Sequence, residues 1–391
     1  MKKISFDPNK KTTDMITKER GTILIVTTWI LAILTLFAVG IGFRVGLELK
    51  LTGYKLDRLK ARYIAKAGMR MAIIEKWKEY VEGKSLGVDA FSEPWANNVD
   101  YFKVAEFGEG TFTLSYKPGE RDRSKKEITL YGLEDETSKI NINSTKALSV
   151  LKNMLLQYDI ELEEVENIIA SIEDWRDEDD IPKTAGGAED SYYQALDTPY
   201  TSSGRDFLVE EELLLVKGMT EELFYDKLKD YITVYGDGKI NINTASEKVV
   251  SAAFGIGYPE LAQKILDYRR GVDGKAGTDD DRWFMTGKFV IERGDRGMVD
   301  VKDLNDNNWY GNIFGVTDNE YKRIRQLVTK EGLLSTSSDY YRATCIARFG
   351  KVKKVITTVF KFNAPDVIRQ TDFSDEITPP DLAYLFWHEE R

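Results

Sequence analysis

The stretch that decides the fold reads KERGTILIVTTWILAILTLFAVGIGF and covers residues 18–43, where basic residues meet a long apolar run. The run from Thr22 to Phe43 holds 22 uncharged residues, and a helix of that length measures about 33 Å, which is enough to cross a bilayer. A secretory signal has a shorter apolar core of about 7–15 residues. Because residues 1–21 carry six basic and three acidic side chains, the positive-inside rule predicts that they stay in the cytoplasm while the rest of the chain crosses the membrane.

The junction before the apolar run carries a second signal, KERG at residues 18–21. It resembles the cleavage site of type IV prepilins and pseudopilins, which a membrane aspartyl peptidase cuts after the glycine. The resemblance implies cleavage between Gly21 and Thr22. Residues 1–21 would then be a cytoplasmic leader and 22–43 the transmembrane helix.

The start of the apolar run, GTILIVTTWILA at residues 21–32, resembles the K-type minor pseudopilins of type II secretion systems, the GspK family. Major pilins and most pseudopilins have a glutamate five residues into the mature chain, and the K-type family lacks it. Val26 occupies that position here. The resemblance implies a subunit at the tip of a pseudopilus, because Val26 offers no carboxylate to a subunit above it.

The pattern beyond the apolar run predicts that the helix continues to about residue 80, because apolar residues recur at three- and four-residue steps. Two strand-like regions follow, one at 111–131 around Pro118-Gly119 and one at 342–362 around Gly350-Lys351. The residues between these regions read as helical. The predicted fold class is therefore α+β: a pilin-like long N-terminal helix packed on a small antiparallel sheet, with a large inserted helical domain.

The inserted region is duplicated, because KININ at residues 139–143 recurs at 239–243. Both copies precede hydroxyl and amide side chains that can cap a helix. The predicted domains, in chain order, are a leader at 1–21, a transmembrane helix at 22–43, the first part of the α+β domain at 44–137, helical units at 138–237 and 238–330, returning strands at 331–363, and a C-terminal tail of unassigned role at 364–391.

The second helical unit contains a segment that resembles a helix-hairpin-helix, with Gly255-Ile256-Gly257 at its turn. In DNA-binding versions the turn presents backbone N–H groups to a phosphate, with basic residues alongside. This leaves a rival function, a membrane-anchored DNA receptor of the competence type. The net charge of −10 and the mixed charges around the turn disfavour nucleic acid and favour a hairpin that packs against protein.

An acidic segment lies in the first unit, EDWRDEDD at residues 173–180, with six acids in eight residues. It is either a solvated loop or a Ca²⁺ site, because Ca²⁺ takes about six to eight oxygen ligands from flexible carboxylates and carbonyls. The segment resembles one in the K-type family, whose helical domain binds calcium. The resemblance implies calcium ligands at Asp174, Asp177, Asp179 and Glu189, with Asp180 as a substitute.

A second acidic loop, DGKAGTDDD at residues 273–281, lies at the corresponding place in the second unit. Its glycines suit a tight ion-binding turn, and Asp273, Asp279 and Asp281 are candidate ligands of a second calcium ion. It is not an EF-hand, because no glutamate closes it. An empty loop is an equal alternative, so the sequence predicts one or two ions.

The sequence argues against an enzyme. It has one cysteine, Cys345, and one histidine, His388, so a histidine-dependent triad has no base in the main body. The acidic segment is too dense to resemble the acid and base pair of a hydrolase. The sequence therefore predicts a non-enzymatic subunit.

The resemblance also implies partners and a location. The partners are other minor pseudopilins of the I and J types, the pseudopilus, the prepilin peptidase and the inner-membrane secretion platform, with no nucleic acid. The location is the inner membrane, crossed once, with the soluble domain in the periplasm. There the chain would help initiate pseudopilus assembly and the secretion of folded proteins.

Overall fold

The computed structural model describes residues 9–81, 88–119, 126–158, 160–184, 186–285, 301–303, 313, 315–363 and 381–390. Residues 1–8 of the predicted leader and 364–380 of the predicted tail lie outside the described residues, as does much of 286–314 in the predicted second unit. The chain divides into two units, Met1–Lys60 and Ala61–Arg391.

The helices are α1 Asn9–Val81, α2 Val99–Phe102, α3 Thr145–Leu156, α4 Leu162–Arg176, α5 Asp190–Tyr193, α6 Glu247–Phe254, α7 Leu261–Arg269 and α8 Asp318–Thr329. The strands are β1 Ala105–Phe107, β2 Gly110–Leu114, β3 Glu134–Asp135, β4 Ile140–Asn141, β5 Ile232–Thr233, β6 Ile240–Asn241, β7 Trp283–Met285, β8 Val301–Asp303, β9 Leu334–Ser335, β10 Tyr340–Phe349, β11 Val352–Asn363 and β12 Asp381–Glu389. Short 3₁₀ turns at Glu136–Ser138 and Glu210–Leu215 and a π-helical turn at Leu223–Leu228 complete the elements.

The predicted long N-terminal helix is confirmed as α1. It contains no proline, so nothing in its sequence removes a backbone donor from the helix. In the part of α1 within Met1–Lys60, nearly every side chain from Gly21 onward is exposed. Within the described part of the chain, this is the one helix that is long and apolar enough to cross a membrane.

Within Ala61–Arg391, α1 packs on the sheet through residues at three- and four-residue steps. The buried positions are Ile64, Ala65, Met69, Ala72, Ile73 and Trp77. Gly68 lies at the closest approach of helix and sheet, since a Cβ atom there would be 2.5 Å from the Phe112 ring. Of the apolar stripe expected from the sequence, Ile64 and Trp77 are buried, whereas Tyr63 and Ile74 are exposed. The helix therefore packs on the strands through a face offset from the expected one.

The main sheet has the order β1-β2-β10-β11-β12, with every pairing antiparallel and with β3 paired to β10. Strands β10 and β11 form the predicted hairpin, because Phe349 pairs with Val352 and leaves Gly350 and Lys351 as a two-residue turn. Gly350 has a φ of 55°, a conformation that glycine adopts without strain.

The C-terminal strand β12 is the edge strand next to β11, whereas the sequence analysis left 364–391 as a tail without a role. Thr358 Oγ1 donates to Phe386 O at 2.7 Å, and Arg62 of α1 forms an ion pair with Glu389 at 2.7 Å. Most of this strand is held by hydrogen bonds between backbones. Such bonds do not depend on a pattern of apolar side chains, so the sequence gives little sign of the strand. The last residues therefore complete the sheet.

The inserted region has a hydrophobic core of its own, separate from the core under the main sheet. It collects α3, α4, α6, α7 and α8 with two short parallel strand pairs, β4 with β5 and β6 with β9. The fold is therefore α+β with an inserted helical domain, as predicted.

The two KININ copies make the same contacts. Asn143 Nδ2 donates to Phe207 O at 2.9 Å, and Phe207 N donates to Asn143 Oδ1 at 2.8 Å. Asn243 exchanges the same two hydrogen bonds with Phe284, at 2.9 and 2.8 Å. Because each asparagine supplies both donor and acceptor to one backbone segment, the repeat is a structural duplication.

Two adjacent acids at the root of the insert each bind a different copy of the repeat. Asp135 Oδ2 accepts from Asn241 Nδ2 at 2.8 Å and from Thr244 Oγ1 at 2.6 Å, both in the second unit. Glu136 accepts from Thr233 Oγ1 of the first unit. The pair therefore holds both units against the base of the sheet.

Glu136 is fully buried and pairs with the guanidinium of Arg342 on β10 and with Lys139. Burial alone would raise the pKa of this carboxyl, but the two cations outweigh burial and lower its pKa to about 2. The root of the insert is therefore an ionised, paired cluster.

Candidate metal centre

The acidic segment of the first unit begins at the C-terminal end of α4. That end of a helix carries partial negative charge, so acids placed there are unfavourable without a cation nearby. Asp174 and Trp175 are buried in the last turn, and Asp177 caps the helix. The local structure therefore concentrates negative charge where the helix already presents carbonyl groups.

Asp174 shapes the loop that follows. Its Oδ1 accepts from Lys183 N at 3.0 Å and its Oδ2 from Ala188 N at 2.9 Å. Gly187 has to be glycine, because a Cβ atom there would lie 2.0 Å from Asp174 Oδ2. The pKa of Asp174 is raised, because burial outweighs the two backbone hydrogen bonds that lower it. Asp174 thus folds the loop back onto the end of α4.

This folding brings together three of the predicted ligands. Asp177, Asp179 and Glu189 place carboxylate oxygens within 4.8 Å of one another. Glu189 is 2% exposed, and within the described residues neither of its oxygens has a hydrogen-bond partner. Asp180 is exposed and lies outside this group of three.

The electrostatics of Glu189 reflect this arrangement. Burial, and then the charges of Asp174, Asp177 and other nearby acids, raise its pKa to about 7. A buried carboxylate without a donor is costly. The residues present therefore fit a hard cation such as Ca²⁺, which takes oxygen ligands from flexible loops and would supply the missing positive charge.

Two lysines that were not predicted as site residues contact this loop. Lys183 Nζ lies 2.9 Å from Asp177 Oδ2. Lys217 Nζ donates to the carbonyl oxygens of Gly186 and Gly187 at 3.0 and 3.2 Å. A lysine inside an acidic run was the available signal for the first contact, while the second depends on residues about thirty positions apart in sequence.

The second acidic loop is arranged differently. Asp280 Oδ2 accepts from Val272 N at 2.6 Å and Asp273 N at 2.9 Å. These bonds, led by that from Asp273, lower the pKa of Asp280 despite some burial. In the part of the chain that the structure describes, the predicted ligands Asp273, Asp279 and Asp281 do not form a group of three close carboxylates.

Asp281 is the exception within that loop. It is 5% exposed, and its Oδ2 accepts from Gly277 N at 2.8 Å, while its Oδ1 has no partner among the described residues. Burial raises its pKa to about 7. One carboxylate oxygen, rather than three carboxylates, is left for a cation here.

A third acidic cluster, which the sequence analysis did not identify, contains Glu79, Asp89 and Glu93. The buried Lys76 already pairs with Asp89 and with Glu79. Burial opposes the charge of Lys76, but the surrounding acids, Asp89 foremost, raise its pKa well above its ordinary value. The cluster is an internal ion pair network that links α1 to the loop before α2.

The residues predicted for leader cleavage and for tip position all lie on α1, within Met1–Lys60. Gly21, Thr22 and Val26 are exposed there, and no described heavy atom lies within 4 Å of a Cβ atom built on Gly21. Exposure at Gly21 is what a protease requires, and exposure at Val26 is what contact with a neighbouring helix requires.

The glycine turn of the second unit joins α6 and α7 as a helical hairpin. Basic residues around it are engaged inside the protein: Arg269 donates to Ile242 O at 2.6 Å, Lys264 to Glu320 at 2.8 Å, and Arg323 to Glu331 at 2.7 Å. These contacts occupy the charges that a phosphate would need. The DNA-receptor alternative is not supported.

Three comparisons with known proteins show which family the chain is similar to. The family profile described as "Type II secretion system (T2SS), protein K" matches residues 130–237, which include the first repeated unit. The type II secretion system protein K of Pseudomonas aeruginosa is 27% identical over 67% of this chain and 75% of its own length. That of Aeromonas hydrophila is 23% identical over 88% of this chain and 93% of its own length.

The chain is similar to the protein K family of type II secretion systems over most of its length. It is a minor pseudopilin. The fold agrees, because the structure is similar to a chain in "The Crystal Structure of the GspK-GspI-GspJ complex from enterotoxigenic Escherichia coli Type 2 Secretion System", with a TM-score of 0.56 and 16% identity over 87% of this chain and 99% of that chain.

Proposed function

We propose that this protein sits at the tip of the pseudopilus, in a complex with I- and J-type minor pseudopilins, and helps initiate pseudopilus assembly and the secretion of folded proteins. The observation that carries the proposal is the fold shared with a chain of the GspK-GspI-GspJ complex. Val26 supports it, because this helix brings no carboxylate of its own into the membrane.

The tip position has a physical reason. A subunit inside the filament has to offer a carboxylate to the N-terminal amine of its neighbour, and an unpaired carboxylate in lipid is costly. With valine at position 26, this subunit can donate its amine at Thr22 to a subunit below, and it needs nothing above.

Crosslinking from the exposed face of α1 near Val26 to the other minor subunits, with labelled protein imaged on assembled filaments, tests the tip position. We expect label at one end. Label distributed along the filament would contradict it. Val26→Glu should reduce initiation while leaving leader removal unchanged, and the matched change Val39→Glu, in the same apolar run, controls for the added charge in lipid.

We propose further that the prepilin peptidase cuts between Gly21 and Thr22, which leaves a single-pass inner-membrane protein with its soluble domain in the periplasm, in contact with the secretion platform. The basic leader and the exposed junction support this. N-terminal sequencing of the membrane form should start at Thr22. A start near Ile41 would show a conventional signal peptidase instead.

We propose that Asp177, Asp179 and Glu189 bind a calcium ion, with Asp174 holding the loop in place. The close oxygens and the unpartnered Glu189 carboxylate support this site. A second ion at Asp273, Asp279 and Asp281 has weaker support, because among the described residues these acids do not form a group of three close carboxylates. The full-length protein in detergent should melt at a higher temperature in calcium than in chelator, and equal melting temperatures would overturn the site.

The protein acts by assembly and not by catalysis in this proposal, and nucleic acid is not among its partners. A DNA receptor would bind duplex with an affinity that falls steeply with salt. We expect no duplex binding by the full-length protein at moderate salt. Salt-sensitive binding that is lost on changing Gly255 and Gly257 to alanine would favour the receptor instead.

A further inference from the structure

Lys183 contacts the acidic loop of the first unit twice. Its backbone N–H donates to Asp174 Oδ1 at 3.0 Å, and its Nζ lies 2.9 Å from Asp177 Oδ2. The backbone contact anchors the base of the side chain beside the cluster. The side chain is 46% exposed, so the ammonium group has room to move into solvent.

The cluster holds more negative charge than one lysine balances. Asp177, Asp179 and Glu189 bring carboxylate oxygens within 4.8 Å of one another, while the described contacts of Lys183 reach Asp177 and leave Glu189 without a partner. A monovalent ammonium group therefore neutralises one acid of three. A divalent cation is the group that can neutralise more of the cluster from a single position.

A calcium ion and the ammonium group compete for Asp177. Calcium binds carboxylate oxygens at about 2.3–2.6 Å, and the ammonium nitrogen already lies 2.9 Å from Asp177 Oδ2. Two cations on one carboxylate repel each other strongly at such separations. Full coordination by Asp177 therefore requires the lysine side chain to leave.

We propose that Lys183 is a tethered counterion that stands in for the metal at Asp177 in the ion-free protein and swings into solvent when calcium binds. This inference rests on the calcium site proposed above. Lys183 then has two effects: it stabilises the ion-free loop by cancelling part of the repulsion, and it raises the calcium concentration at which the site fills.

Amine footprinting tests the movement directly. The full-length protein in detergent is briefly acetylated in calcium or in chelator, and each lysine is quantified by mass spectrometry. Lys183 should react several-fold faster in calcium, because the ion releases its amine. Lys229 is the control, since it pairs with Glu211 at 3.1 Å and not with a cluster residue. Equal labelling of Lys183 in both conditions would overturn the proposal.

Titration calorimetry with calcium and melting curves in chelator test the competition. Lys183→Met should bind calcium about threefold to tenfold more tightly and should melt at a lower temperature in chelator. Lys183→Arg keeps the charge and should stay close to the wild type in both, and Lys229→Met should change neither. Calcium binding that is no tighter in Lys183→Met would overturn this inference alone. A wild-type protein that binds no calcium would overturn the site and the inference together.

Discussion

The two acidic loops occupy corresponding places in the repeated units, but they satisfy their charge in different ways. In the first loop, Glu189 is buried and has no hydrogen-bond partner in the described part of the chain. In the second loop, Asp280 accepts from two backbone N–H groups and from Thr278 Oγ1. Backbone donors thus satisfy Asp280 and leave one oxygen of Asp281 in the second loop, whereas both oxygens of Glu189 are left for a cation in the first.

The pKa values show the same contrast. Burial and neighbouring acids raise the pKa of Glu189 to about 7, while hydrogen bonds from the backbone lower the pKa of Asp280. Asp281 of the second loop resembles Glu189, because burial raises its pKa to about 7 as well. The asparagine contacts beneath the two loops are alike, at Asn143 and at Asn243. A duplicated scaffold therefore keeps its packing while its loops diverge in charge.

The largest expected effect concerns the acids that anchor the two units. Glu136→Gln should lower the free energy of unfolding by about 3 kcal/mol, because it removes the fully buried carboxylate shared by Arg342 and Lys139. These cations are then left with the less buried Glu210 and Glu134. Asp135 anchors the second helical unit. Asp135→Asn should lower the free energy of unfolding less, by about 1–3 kcal/mol, because its partners Asn241 and Thr244 are neutral. Chemical denaturation of the full-length protein in detergent measures both.

The pH dependence of Glu136 gives a second test of the same anchor. Its pKa is lowered in the folded state from 4.5 to about 2, so its stabilising contribution is complete above pH 4.5 and is lost as the pH falls towards 2. In Glu136→Gln this part of the acid dependence should disappear. An unchanged acid profile in that variant would show that the anchor does not carry the charge described.

Calcium should stabilise the protein through the first loop. At about 100 times the dissociation constant, an ion that binds only the folded state adds about 2.7 kcal/mol. Asp177→Asn with Asp179→Asn should remove that gain. The matched pair Asp273→Asn with Asp279→Asn, in the second loop, should keep it. Partial loss in the second pair would mean that both loops bind an ion, which would erase the contrast drawn between them.

The repeated asparagines test what the units share. Asn243→Ala should cost about 2 kcal/mol, because it strips a buried backbone segment of two hydrogen bonds. Asn143→Ala should cost less, because Asn143 is only half-buried. Denaturation midpoints of the two variants decide the order. A larger loss at Asn143 would mean that the first unit, and not the second, is the more tightly held.

The smallest expected effect is the pH dependence of calcium binding that Glu189 gives to the first loop. Because its pKa is raised to about 7 without a metal, protonation competes with calcium, and affinity should fall about tenfold from pH 8 to pH 6. The ion-free protein should gain stability over the same fall in pH. Glu189→Gln should bind weakly with little pH dependence, and calorimetry at both pH values checks this. An unchanged pH dependence in the variant would assign the proton to another group.

The long helix, the hairpin of β10 and β11, the insertion and its duplication could all be predicted from the sequence. Each rests on local rules: an apolar run long enough for a bilayer, alternation around Gly350, and a repeated KININ motif. These signals are contained in neighbouring residues, so no tertiary contact is needed to recognise them. The acidic segment was recognised for the same reason.

Which acids come together depends on how the loops fold, and this could not be predicted from the sequence. Asp174 accepts from the backbone of Lys183 and Ala188, and this folding carries Glu189 back to Asp177. The second loop has four acids in nine residues, and its N–H groups satisfy Asp280 but leave one oxygen of Asp281 without a partner among the described residues. The role of β12 was equally hidden, because its place at the sheet edge depends on pairing with a distant strand. The sequence shows how many carboxylates a loop contains. The direction of each backbone N–H group decides whether a carboxylate is hydrogen-bonded or left for a cation.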